Sequence, residues 1–144
     1  MGVLKFDDGV INLAVNNTGR IFSFNPTDTK IYEGFYALMQ ETPKKLNELS
    51  SEAEKIEKKK LDDNARAAEE LKIYAEIDKM LREAFDSAFG EGQADVLFGN
   101  QSVCSYGANG DFIFTNAIMA LFPYFEKETK KRKQKVKSVV AQYK

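Results

Sequence analysis

The side chains able to do chemistry in this chain are few. They are one cysteine, Cys104, two adjacent acid pairs, Asp7-Asp8 and Asp62-Asp63, a glycine-spaced run, FGEGQADVLFG at 89–99, and a lysine-rich end, KETKKRKQKVK. With no histidine and no tryptophan, imidazole acid/base catalysis, Ser-His triads and imidazole metal sites drop out together. A metal would need oxygen ligands, and neither acid pair has the alternating acidic spacing with central glycine of a calcium loop. Those pairs are expected to serve turns and helix caps. Cys104 has no neighbouring His in sequence, so a buried or incidental thiol is expected in place of a nucleophile. Gly90, Gly92 and Gly99 match neither GxGxxG nor GxxxxGK[ST] and follow no strand, so they are expected to shape the backbone and not to cradle a phosphate. No catalytic, cofactor-binding or metal-ligating residue is nominated.

Charge is unevenly placed. The whole chain carries −1, but residues 126–144 hold eight Lys or Arg against Glu126 and Glu128, a net of +6 that leaves −7 for residues 1–125. The basic end could meet phosphates, with binding that falls steeply as salt rises, or it could be a solvated helix face. Val136, Val139 and Tyr143 at helical spacing within it suggest a weak amphipathic helix suited to a protein groove. The start, MGVLKFDDG, has no apolar signal-peptide core, and nowhere do eighteen uninterrupted apolar residues occur, so a soluble, cytoplasmic protein without membrane partners is expected. The single cysteine is compatible with a reducing compartment and excludes an intramolecular disulfide. Gly2 is not read as a myristoylation site because Phe6 stands where that motif takes Ser or Thr.

The elements that must position these residues are mostly helical. With 144 residues, 43% of them hydrophobic, and 11 Phe and 6 Tyr, the chain can bury the core of one domain. Residues 1–25 read as β-rich: VLKF, the turn Asp7 to Gly9, VINLAV, the turn Asn16 to Gly19, and RIFSF. That predicts a β-meander or hairpin with one face buried against helices. Thr27 or Asp28 caps a helix bearing Ile31, Phe35 and Leu38. Thr42-Pro43 predicts a corner, with proline at the first position of a new helix, and Ser51 with Glu54 fits a capping box. Unbroken, residues 43–89 would run roughly 70 Å at 1.5 Å per residue, so a break is expected at Asp62-Asp63-Asn64, with SSEAEKIEKKKLDDN as a solvated arm or connector. A second stripe follows through Ala68, Leu71, Tyr74, Ile77 or Asp78, Leu81, Phe85 and Ala88. Gly90 or Gly92 ends that helix, Ala94 to Phe98 makes one short turn, and Gly99 closes it, with Phe85, Phe89, Leu97 and Phe98 in one apolar cluster. After a loop at 100–110, Asp111 is expected to cap a helix bearing Phe114, Ile118, Leu121 and Phe125 that Pro123 kinks without stopping. The predicted class is mainly α (α+β): a short antiparallel β-meander or hairpin packed on about four α-helices with an extended basic C-terminal helix. It forms a single domain over 1–144, with the β-rich start at 1–25, the helical core at 27–125 and the basic tail at 126–144.

Several of these residues carry a resemblance. AFDSAFGEGQADVLFG after a charged helix is similar to a segment of the tail assembly chaperone-like proteins of long-tailed phages and prophages of Gram-positive bacteria. The order of parts agrees: Phe22, Phe24 and Asn25 in a β-rich start, Tyr32 and Glu33 in the following helix, a Lys/Glu-rich helix, the glycine segment, and an apolar helix with a basic end. The resemblance implies a non-enzymatic role: binding a tape-measure protein, keeping that long helical chain soluble, and helping tail-tube subunits assemble around it. Some members also exist as a longer frameshifted product. The N-terminal MGVLKFDDGVINLAVNN is longer than the usual start. A chaperone for an amphipathic client needs adaptable apolar surface, and Phe35, Tyr36, Met39, Phe122, Tyr124 and Phe125 are the candidates to supply it, each weighed against a plain core role. Self-association is expected. The alternative is a basic-tailed nucleic-acid-binding accessory protein.

Overall fold

The computed structural model describes the backbone of residues 1–142 and their side chains except those of residues 132, 135, 136 and 142. Strand β1, Ile11–Ala14, pairs antiparallel with β2, Ile21–Phe24, in the register Ile11↔Phe24 to Ala14↔Ile21. Their turn is closed by Val15 N–H donating to Arg20 C=O (2.9 Å) and by the Thr18 hydroxyl donating to Val15 C=O (2.7 Å). The strand alternation puts Phe22 and Phe24 in the core and leaves Ile21 outside. The third strand of a meander does not form, because residues 1–10 are exposed and unpaired with the hairpin. β1 itself buries Ile11 and Leu13 only partly, so a strand beyond it would overhang the helices without cover.

Asp28 caps α1, Thr29–Glu57, its carboxylate accepting from Lys30 N–H at 2.9 Å. The expected corner at Thr42-Pro43 is absent, and Pro43 lies inside a continuous helix. Leu38, Thr42 and Leu49 are buried on one stripe across the proline, and that burial outweighs one lost backbone bond. Thr42 turns its hydroxyl back to donate to Leu38 C=O at 2.6 Å instead of capping. Ser51 and Glu54 are likewise interior to α1 and form no capping box. The break comes where the acidic run placed it. Helix α2, Asp63–Phe89, starts behind Asp62, whose side chain accepts from Ala65 N–H at 2.7 Å.

Helices α1 and α2 form an antiparallel hairpin. Its tip is joined by Lys59 to Glu69 at 3.0 Å. Ile56 is buried there, so the arm has its own small apolar contact. Near the base, Gly34 on α1 meets Ala88 on α2 so closely that a Cβ on Gly34 would stand 2.7 Å from the Ala88 Cα. On α2 the buried face is Ile77, Leu81, Phe85 and Phe89, with Leu71 turned outward. Helix α3, Gln93–Phe98, is one short turn, and α4 runs from Ile113 to Gln142 through Pro123. Asp111 does not cap α4. The helix opens one residue later, with Phe112 C=O accepting from Asn116, while Ile113 and Phe114 N–H donate to Ser105 and Val103 C=O at 2.8 and 3.1 Å.

The core is aromatic. Phe22, Phe24, Phe35, Phe85, Phe89, Phe98, Phe114 and Phe125 form a connected set of ring contacts that ties the hairpin to α1, α2, α3 and α4. Phe35 and Phe125 stack at 4.3 Å and Phe85 and Phe89 at 4.6 Å. Mainly helical, with a small antiparallel hairpin at its start, the molecule has the predicted class.

Candidate partner-binding surface

The glycine-spaced segment shapes the fold. Gly90 closes α2 at φ 120°, Gly92 opens α3 at φ 83°, and Gly99 ends it at φ 60°, conformations that L side chains rarely adopt. Phe85, Phe89 and Phe98 are buried, and Leu97 packs partly buried against them. The backbone amides that an anion would need are already engaged. Gly90 N–H donates to Asp86 C=O at 2.7 Å, while Gly92 and Ala94 N–H donate to the two Asp86 carboxylate oxygens at 3.2 and 2.7 Å.

Asp86 belongs to a clasp that sequence reasoning missed. Asp78, Arg82 and Asp86 stand at i, i+4 and i+8 on α2, hence on one stripe. Asp78 accepts from Val103 N–H at 2.7 Å. Arg82 donates to Gly99 C=O at 2.9 Å, Gln101 C=O at 2.6 Å and the Asp95 carboxylate at 3.0 Å, and it pairs with Asp78 at 3.3 Å. One helical stripe therefore holds the whole 92–103 segment. The available signal was the spacing D-x3-R-x3-D in DKMLREAFD.

Cys104, in the loop so held, is buried, and its thiol is pushed up to about 11 by desolvation and by the Asp78 carboxylate. It is a protonated thiol at neutral pH, not a nucleophile.

The aromatic candidates fall into two groups. Phe35 and Phe125 are core residues stacked on each other, and both also line the crevice that their neighbours open. A core phenylalanine of this kind is fully desolvated within its own chain. Their neighbours do reach the surface. Tyr36 and Met39 from α1 and Phe122 from α4 line a crevice of about 220 Å³, which Lys133 and the paired Lys130 and Glu126 also line. Tyr36 is 50% exposed. Its phenol is raised above the usual value by hydrogen bonding to Tyr32 and by that group's charge, so this wall is neutral at physiological pH. Across the crevice the Tyr32 hydroxyl meets Thr129 Oγ1 at 2.6 Å, and Thr129 in turn donates to Phe125 C=O.

Tyr124 faces elsewhere. It packs edge-on against Phe24 and lines a second groove of about 540 Å³ between the β-hairpin and α4. Val139 is exposed on the basic end of α4, while Tyr143 and the side chain of Val136 lie outside the described residues. Among the described residues no helix is long and apolar enough to cross a membrane. No family model, curated protein or solved structure matches this chain.

Proposed function

We propose that this protein is a non-enzymatic assembly chaperone of the phage-tail kind, acting in the host cytoplasm. It would bind the amphipathic helical segments of a tape-measure protein and hold that client soluble while tail-tube subunits assemble. The observation that carries this reading is the convergence of Tyr36, Met39 and Phe122 from α1 and α4 on one crevice. Its volume is below the roughly 300–1,000 Å³ of small-molecule pockets. A shallow apolar slot with a flexible methionine and aromatic walls suits the side chains of a helix laid across it, and Lys133 suits an acidic residue flanking such a stripe, while Lys130 is paired with Glu126 at 3.4 Å.

The test is co-expression with the tape-measure protein. The wild-type chain is expected to raise that partner's soluble fraction several-fold, and the double variant Y36E/M39E, altering side chains that reach the surface, is expected to lose most of the effect. An unchanged soluble yield with the wild-type chain would overturn the reading. The competing reading is duplex binding by the exposed lysines of α4. It predicts an affinity for random duplex that falls steeply with salt, and no binding at low salt removes it.

A further inference from the structure

The N-terminal arm and the hairpin–α4 groove are each uncovered within their own chain. Residues 1–10 are exposed throughout, with Leu4 at 88% and Phe6 at 76% exposure. Because Leu4 and Phe6 are two apart, an extended arm presents both on one face. Its root is fixed. Asp7 and Asp8 accept from Gly9 and Val10 N–H at 3.0 Å each, the Asn25 amide donates to Asp8 C=O at 2.9 Å, and Gly9 lies under Asn25 where a Cβ would clash at 2.6 Å. That root stands beside the Ile11↔Phe24 end of the hairpin, and from it the arm lies on no surface of its own chain.

The groove is lined by Leu13 and Val15 of the hairpin and by Ala117, Ala120, Leu121 and Tyr124 of α4. From Ile113 to Tyr124 the helical wall runs about 16 Å at 1.5 Å per residue, the length of roughly five extended residues. β1 has only β2 beside it among the described residues, so its far edge offers unpaired backbone groups to an added strand.

We infer that this protein forms a homodimer in which the VLKF arm of each copy lies in the hairpin–α4 groove of the other, seating Leu4 and Phe6 between β1 and α4. The occupant is a second copy because each chain carries one uncovered arm and one uncovered groove, so a two-fold pair satisfies both at once and leaves no open end. The segment that sequence patterning reads as a strand thereby becomes one, on another molecule's sheet edge. This inference does not rest on the client reading, since it uses none of the α1–α4 crevice residues.

Light scattering on the full chain across the micromolar range reads the assembly directly. The expected mass is twice the 16.3 kDa of one chain. The double variant L4D/F6D and, separately, A120E are each expected to return the mass to that of a monomer. All three positions are exposed within one chain, so unchanged circular dichroism would show that both variants fold. A wild-type monomer at all concentrations, including one with its arm tucked into its own groove, would overturn the inference. So would a dimer that either variant leaves intact. None of these outcomes bears on the crevice, so failure here and failure of the chaperone reading are told apart.

Discussion

Gly34 sets the distance between α1 and α2. An added Cβ there would meet the backbone of Ala88 at 2.7 Å and its methyl at 2.8 Å, and backbone cannot rotate away as a side chain can. Alanine normally improves a helix interior by roughly 0.5–1 kcal/mol over glycine, whereas forcing atoms into a packed interface costs about 1–3 kcal/mol. The second effect is the larger, so G34A is expected to lower the urea midpoint by an amount equivalent to about 1–2 kcal/mol, read by equilibrium denaturation. Sequence gave no sign of this. A glycine between Glu33 and Phe35 looks incidental until the partner helix is known. The Asp78–Arg82–Asp86 clasp was hidden for the same reason, since its ligands lie 6 to 25 residues further along the chain and charges spaced by four on a helix ordinarily mark a solvated face. Phe35 and Phe125 show the reverse case: the stripe correctly marked them as apolar and helical but could not say which faces inward.

At the level of elements, the legible features were those with local causes. Asp28 and Asp62 cap the helices they precede, and Gly90, Gly92 and Gly99 bracket α3 where positive φ requires them. The missed ones were decided by tertiary burial. Thr42-Pro43 has the local form of a helix start, yet the stripe of Leu38, Thr42 and Leu49 is stabilised by packing that no window of sequence contains. Pro43 leaves Met39 C=O without its usual donor. Replacing it by alanine restores that donor and relieves the ring, offset by a less restricted unfolded chain that costs about 0.4–1 kcal/mol. P43A is therefore expected to raise stability by about 1–2 kcal/mol with an unchanged denaturant slope.

As a whole, the molecule divides its stability unequally. The phenylalanine network gathers the hairpin, all four helices and the 103–104 loop on one core, while the far end of α4 projects beyond it. The described side chains from Gln134 onward are exposed. Truncation after Lys133, which keeps Thr129 and the crevice rim, is thus expected to shift the melting free energy by no more than about 0.5 kcal/mol, as surface changes do, with differential scanning calorimetry as the check. The compositional split between an acidic body and a basic tail was fully legible. The crevice that joins Tyr36 and Met39 to Phe122 was not, because it depends on how two helices separated by 55 residues of chain come to lie together, and periodicity within each helix carries no such information.

Five of the atoms gripped by Asp78, Arg82 and Asp86 are main-chain atoms: the amides of Gly92, Ala94 and Val103 and the carbonyls of Gly99 and Gln101. A peptide group offers the same donor and acceptor whatever side chain it bears. The embraced stretch is therefore free to diverge at its outward positions, while the grip tolerates little change. Distant kin of this chain should be findable by an aspartate, an arginine and an aspartate at every fourth residue of a long helix, ahead of a variable turn fenced by glycines, even where the turn itself has become unrecognisable.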